Sequence, residues 1–334
     1  MELGFLTAPY AAQPLNDTMA DLRRKYDPSV LQGLELGTGN YPPDGHCKPI
    51  EYLGNAGKRQ ELKTLFKDHQ FRLTALSCHG NPLHPKAEIA KAHNGVTEQT
   101  IIVAGELEVP VVVLFSGLPG DGYSQIPVWV TNAWPDEHFD LYQKQLGEVA
   151  QYWDKTTRLA DQAEVDLAIE LHPKMFMHNV ATYNDVKTKV MELQQERDGS
   201  EAYKRLKANP DLSHFVWRGI DPVAAISALG ENIAYMHAKD AKVNRAQMAV
   251  NGAIDARAFS NPNNRVWSFV YVGSGDIVWK DVVRELQRVG YNGVLSIEHE
   301  DGERDAGESL DMAVNHLHAL LPRKAPGPMT WAAR

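Results

Sequence analysis

Four segments in the second half of the chain end in residue types that bind metals or move protons. AIELHP carries Glu170 and His172, NPDLSH carries Asp211 and His214, YMHAKD carries His237, Lys239 and Asp240, and LSIEHED carries Glu298, His299 and Glu300. A lone Glu or His after an apolar run is more often a hydrogen-bonded structural residue, but four such endings in consecutive runs form a pattern. If Glu170, Asp211, His237 and Glu298 share one pocket, three carboxylates repel one another unless a cation neutralises them. One imidazole and three carboxylates make an oxygen-rich donor set that favours Mn²⁺ or Mg²⁺, then Co²⁺, with Zn²⁺ the less natural choice. Cys47 and Cys78 are the only cysteines, so no metal site can be built on thiolates.

Other residues gather around this set. His172 and Lys239 each lie two positions beyond a proposed ligand, so on a strand they share its side and are expected to contact substrate. His299 and Asp240 alternate the other way and are expected to support the ligands or the structure. His79 and His84, in the Gly/Pro-rich turn LSCHGNPLHP, are assigned either to substrate hydroxyls or to a structural role. Glu35 in GLELGTG is a further substrate-binding candidate, the other reading being a hydrogen bond to nearby backbone. His138, in WPDEHFD, is a loop histidine that could act as a mobile acid or base. His316 and His318 fall in a terminal amphipathic helix and are expected to be surface or packing residues.

These residues need elements to position them. Short runs rich in Leu, Ile and Val, the pattern of strands buried on both faces, occur at 2–7, 33–37, 72–77, 110–115, 165–171, 205–211, 232–237 and 293–298. Between them lie amphipathic stretches such as GKRQELKTLFKDH and IVWKDVVRELQRVG. Eight alternating strand–helix units predict a parallel sheet with right-handed crossovers, closing as a (β/α)8 TIM barrel. An open doubly wound sheet is the alternative, but no G-x-G-x-x-G follows the first strand. The expected organisation is a single barrel domain over residues 1–322 and an extended Pro-rich tail over 323–334. Three long βα loops, 37–55, 116–140 and 241–276, would lie over the active face. The second holds Trp129 and Trp134 and the third Trp267, Phe269 and Tyr271; these rings either cover the apolar face of a sugar or pack their loops onto the barrel or a partner subunit.

The 334 residues are 43% hydrophobic and 23% charged, which excludes disordered and fibrous classes. A net charge of −9 gives no long-range attraction for nucleic acid or anionic lipid. Two cysteines suit a reducing compartment, MELGFLTAPYAAQPLND lacks the basic and apolar regions of a signal peptide, and the apolar runs are short of a membrane span. A cytoplasmic protein without membrane or nucleic-acid partners is expected.

The run ANPDLSHFVWRGIDPVAAI, residues 208–226, resembles the A-N-F-D-P-S-H-L-F-W-Q-G-I-D-P segment of the sugar phosphate isomerase/epimerase family of xylose-isomerase-like TIM barrels. LSCHGNPLHP (76–85), VVLFSGLPG (112–120), MHAKD (236–240) and GVLSIEHED (293–301) resemble further blocks of that family in the same order, so the similarity spans nearly the whole chain. One departure is Asp211-Leu212-Ser213-His214 where members usually read D-P-S-H; ligand and spacing survive. The resemblance implies a metal held by Glu170, Asp211, His237 and Glu298, with His214 hydrogen-bonded to a substrate oxygen. In related ketose 3-epimerases the glutamates matching Glu170 and Glu298 also act as acid and base on opposite faces of the sugar.

The chemistry of the residues agrees with that implication. A hydrogen beside a ketone is removable when the resulting enediolate is stabilised, which a metal chelated by two adjacent substrate oxygens does. Two facing carboxylates can take a proton from one face and return one to the other without an organic cofactor. A divalent-metal sugar isomerase or epimerase is therefore expected, its substrate a keto-sugar or keto-glycoside. The alternative is a C-glycoside deglycosidase lyase subunit that eliminates the aglycone from a 3-oxo-glycoside, with a small partner subunit; a homo-oligomer is equally expected. An endonuclease IV-like nuclease shares the barrel, but the negative charge disfavours it.

Overall fold

Strands form where the short apolar runs lie. In chain order they are β1 (Glu2–Leu6), β2 (Gly33–Gly37), β3 (Arg72–Ser77), β4 (Val111–Phe115), β5 (Asp166–Glu170), β6 (Leu206–Asn209), β7 (Met236–Ala238), β8 (Asp240–Val243), β9 (Trp267–Val270) and β10 (Val294–Ile297). The computed structural model describes residues 1–132, 134–254 and 264–322. Eight of these strands make one parallel sheet in the order β6-β5-β4-β3-β2-β1-β10-β7, while β8 and β9 pair separately as an antiparallel hairpin. The eighth barrel strand is thus β10, and all eight expected strands are present, seven inside the expected bounds and β7 running one residue past 237 to Ala238. Helices Leu15–Lys25, Ala56–Asp68, Ala87–Leu107, Asp136–Gln162, Val180–Arg197, Pro222–Leu229, Trp279–Arg288 and Ala306–Leu320 follow the barrel strands one by one. The chain folds as a (β/α)8 barrel.

The ring is nearly closed. Between β6 and β7 the strand ladder reduces to a bridge joining Ala208 and Ile233, with the Ala234 amide donating to the Ala208 carbonyl at 3.1 Å. Further up this seam the Asn209 side chain substitutes for backbone, its Oδ1 accepting from the His237 amide at 2.8 Å.

Local signals explain the helices. In Trp279–Arg288 the buried residues Trp279, Val282, Val283 and Leu286 recur at three- and four-residue spacing, one stripe against the barrel. Asn179 and Thr182 form a reciprocal cap at the start of Val180–Arg197, and Asp221 caps a helix that opens on Pro222. Leu3, Phe5, Leu34, Leu36 and Leu76 belong to the main core, shared with buried helix residues such as Ile101 and Val149. The complementary strand positions Ala75, Val111, Val113, Ala168, Tyr235 and Val294 form a second cluster that fills the barrel axis. Strand alternation therefore separates core residues from those available to a central pocket.

The segment 241–276 departs from the expected loop. Its ends pair as β8 and β9, Asp240 opposite Val270 and Val243 opposite Trp267, and the helix Arg245–Asn251 follows β8. The β-favouring Trp-Ser-Phe-Val run is far from its partner in sequence, so no local turn announces the hairpin. Residues 255–263 of this segment and the Pro-rich tail 323–334 lie outside the described residues. Among the described residues, no helix is long and apolar enough to cross a membrane.

Candidate active site

Inward-facing positions on each strand stack in layers. Along β10 and its exit, Val294 belongs to the axial cluster, Ser296 donates to Glu35 Oε2 at 2.6 Å, and Glu298 lines a cavity of about 420 Å³ at the carboxyl end of the barrel. The same step of two brings Tyr235, His237 and Lys239 up the seventh barrel strand, and Ala168, Glu170 and His172 up the fifth. Tyr41, Pro42 and Pro43 of the first long loop form part of the cavity wall, with Phe115 opposite His172 at a ring separation of 4.5 Å.

Glu35 is fully buried beneath this cavity. Its carboxylate accepts from Ser77 Oγ and Ser296 Oγ, and its Oε1 lies 3.0 Å from His237 Nε2. Burial pushes the Glu35 carboxyl up, but His237 and the two serines outweigh it and hold it below its ordinary value. Because a carboxylate only accepts, Nε2 carries a proton and Nδ1 faces upward. That nitrogen is 3.2 Å from Glu170 Oε2 and 3.1 Å from Glu298 Oε2.

The upper layer is dense in charge. His79 Nε2 lies 2.9 Å from Glu170 Oε2, while His214 Nε2 is 3.4 Å from Glu170 Oε1 and 3.2 Å from Asp211 Oδ2. Lys239 Nζ reaches Asp211 Oδ2 at 2.9 Å and both Glu298 Oε2 and Glu300 Oε2 at 3.0 Å. Burial disfavours the Lys239 ammonium, yet Asp211, Glu298 and Glu300 carry its pKa well above the usual lysine value. Burial raises the Glu170 carboxyl, but His79, His214 and His237 hold it well below the usual range. Asp211 is pushed up to about 7, chiefly by burial and against the pull of Lys239. His172 is pushed down to about 4, chiefly by burial, so it is a neutral imidazole; Nδ1 donates to the Pro173 carbonyl and leaves Nε2 as an acceptor.

The donor chemistry fits a divalent cation. Asp211 Oδ2, Glu298 Oε2, His237 Nδ1, His79 Nε2 and His214 Nε2 are all buried, and among the described residues none has a well-formed hydrogen bond, their neighbours being one another, Glu170 and the Lys239 ammonium at 2.9–3.4 Å. Buried polar atoms rarely go unsatisfied, and five around one set of carboxylates mark a place for an ion. Two compact donor groups could each hold one, His79 with Glu170 and His237, and Glu170 with His172 and His214. These differ from the expected set, in which Asp211 and Glu298 stand on either side of the Lys239 ammonium. Glu170 and His237 belong both to the expected set and to the first of these groups, and Lys239 supplies a counter-charge to Asp211 Oδ2 and Glu298 Oε2.

The barrel thus brings together Glu170, Asp211, His237, Glu298, His79, His172, His214 and Lys239. Glu35 takes a place under His237 rather than on the cavity wall. Three expected contacts are not brought in. His84 accepts from the Lys86 amide through Nδ1 at 3.0 Å, outside the cavity lining. Trp134 is 75% exposed and His138 is exposed in the first turn of the helix Asp136–Gln162, where the second long loop has already turned outward. Asp240 is structural: it accepts from the amides of Ala241, Gly273 and Ile277 and from the Trp279 indole, fastening the hairpin base. Sequence reasoning gave no role to Glu300, Ser77, Ser296, Phe115 or Tyr41. Ser77 and Ser296 sit at inward strand positions below pocket residues, a signal available from the period-two pattern alone.

The model of the xylose isomerase-like TIM barrel family matches residues 32–316. The chain is 32% identical over 329 residues to the uncharacterized protein YfiH of Bacillus subtilis (strain 168), covering 94% of this chain and 100% of that one. Its fold is similar to that of the probable 3-DHS dehydratase AsbF involved in petrobactin synthesis from Bacillus anthracis, with a TM-score of 0.65, 16% identity, and 95% and 98% of the two chains covered. It is also similar to that of the 3-keto-D-glucoside 4-epimerase YcjR from E. coli, with a TM-score of 0.61, 11% identity, and 96% and 99% covered.

Proposed function

The chain belongs to the xylose isomerase-like TIM barrel family, and from that membership and the pocket chemistry we propose an enzyme that moves a proton beside the carbonyl of a keto-sugar or keto-glycoside. The observation that carries this reading is the pairing of Glu170 and Glu298, from β5 and the end of β10, around one imidazole nitrogen in one cavity. Similarity of fold to a 3-keto-D-glucoside 4-epimerase and to a probable dehydratase supports the same class of chemistry.

Glu170, Asp211, His237 and Glu298 would hold a divalent cation, Mn²⁺ first, which supplies positive charge where an enediolate develops. The protein's own groups do the rest. One glutamate accepts the proton from the carbon beside the carbonyl, and the other, after taking a proton from solvent, delivers it to the opposite face. His214 and Lys239 donate to substrate oxygens, and neutral His172 accepts from a hydroxyl through Nε2. Glu35 fixes the His237 ring, so the pocket is preorganised before substrate arrives.

The test is exchange of the α-proton with deuterium in D₂O, followed by NMR on a free ketose and on a 3-oxo-glycoside. Positioned acid–base groups contribute about 10²–10⁴-fold, so Glu298→Gln is expected to lose exchange by at least about 10² while its circular dichroism and melting are retained. Full exchange in that variant removes Glu298 from the mechanism. Aglycone release from the 3-oxo-glycoside without isomerised sugar would replace the isomerase reading with elimination.

A further inference from the structure

A second cavity of about 510 Å³ adjoins the first, and His172 and Glu300 line both. Trp129, Trp217, Trp267, Phe269 and Ile254 supply its apolar surface. Trp217 and Trp267 stack with ring centroids 4.7 Å apart and planes 7° from parallel, and Phe269 meets Trp267 edge-on at 4.9 Å. Phe269 also ties this annex to the charged cluster. It stands edge-on to His214 at 5.4 Å, and Lys239 Nζ lies 4.7 Å from its ring centre.

We propose that this annex binds an aromatic substituent on a glycoside whose sugar ring lies in the neighbouring cavity. The proposal rests on reading that neighbour as the sugar site, and it names the substrate class that reading leaves open. Two connected cavities, each in the size range of a small-molecule site, give room for a second ring beside the sugar. The wall of tryptophan and phenylalanine selects what that ring is. A second sugar would bury several hydroxyls, each needing a hydrogen-bond partner; Lys174, Arg265, Ser268 and Glu300 also line the annex, but its wall of Trp129, Trp217, Trp267 and Phe269 offers few. A planar aryl group needs few partners and packs edge-to-face or offset against these rings. Its polar linking atom would then lie near His172 and Glu300, which the two cavities share.

Calorimetric titration of the purified full chain with 4-nitrophenyl β-D-glucopyranoside and methyl β-D-glucopyranoside tests this. The aryl glycoside is expected to bind about tenfold more tightly or better, the return of one or two well-packed aromatic contacts. In Trp217→Ala that preference falls to within about twofold, while affinity for the methyl glycoside is unchanged. Trp217 is nearly buried, so Ile254→Asp, at a 69% exposed position on the same lining, serves as a second variant with the same expected outcome. Equal affinities in the wild type, no aryl glycoside binding at millimolar concentration, or a preference that survives both variants would overturn the proposal. Binding and proton exchange fail separately. An aryl preference without exchange sinks the proposed chemistry alone, and exchange without a preference sinks the annex alone.

Discussion

His237 shows how much of the site is decided below the cavity. Its upper nitrogen stands between two carboxylates only because Glu35, itself held by Ser77 and Ser296, takes the lower one. Partners that orient a metal-binding histidine are worth about 10–100-fold in metal affinity. Glu35→Gln keeps the shape and removes the charge, so it is expected to weaken Mn²⁺ binding by about that factor, measured by titration of the purified variant. Unchanged affinity would show that Glu35 does not tune the site. The period of two made His172 and Lys239 legible from the sequence, because each follows its neighbour on the same side of one strand. The position of Glu35 was not legible in the same way. It depends on the sheet order, which brings β10 and β7 round beyond β1 to within reach of β2 although they lie more than 200 residues away, as the 202-residue separation from His237 shows.

At the scale of elements, the hairpin β8–β9 stands on Asp240. Asp240→Ala would leave three amides and the Trp279 indole without their acceptor, a loss expected to reach about 3 kcal/mol or more in urea unfolding. Gly275 closes the same junction, since a Cβ there would come within 1.9 Å of Asp240 Oδ1. A stable Asp240→Ala variant would remove this anchor from the fold's account. The helix Val180–Arg197 carries a second test. Lys187 Nζ donates to the Leu206 carbonyl at 2.9 Å and to Asn232 Oδ1 at 2.6 Å, and burial pushes its pKa down to about 8. Below about pH 8 the folded and unfolded chains both hold that proton; above it, up to the ordinary value of 10.5, only the unfolded chain does. Wild-type stability relative to Lys187→Met is therefore expected to rise with pH through this window, read from unfolding curves at several pH values. A constant difference would contradict it. Strand and helix positions were readable because each run carries its own periodicity. The hairpin was not, because its two halves are separated by residues 244–266 and its pairing is settled by Asp240 rather than by a turn.

For the whole molecule, the eight-unit alternation announced the barrel, and the closing residues of its late strands announced where the chemistry would gather. Part of the net charge of −9 is concentrated there, with Glu35, Glu170, Asp211, Glu298 and Glu300 grouped around Lys239 and His237. An ion that binds the folded chain alone stabilises it by mass action, so Mn²⁺ is expected to raise the melting temperature progressively with concentration and chelation to reverse the rise. A melting point indifferent to both would mean that the cluster is neutralised from within. The seam between β6 and β7 gives that stabilisation a direction. Asp211 follows the strand on one side of the seam and His237 lies on the other, where backbone pairing is thinnest and one asparagine side chain spans the gap. Whatever grips both residues acts as a rivet through the weakest joint of the ring. A ligand held by both residues would couple occupancy of the site to closure of the ring, and without it the fastest amide exchange is expected along β6 and β7.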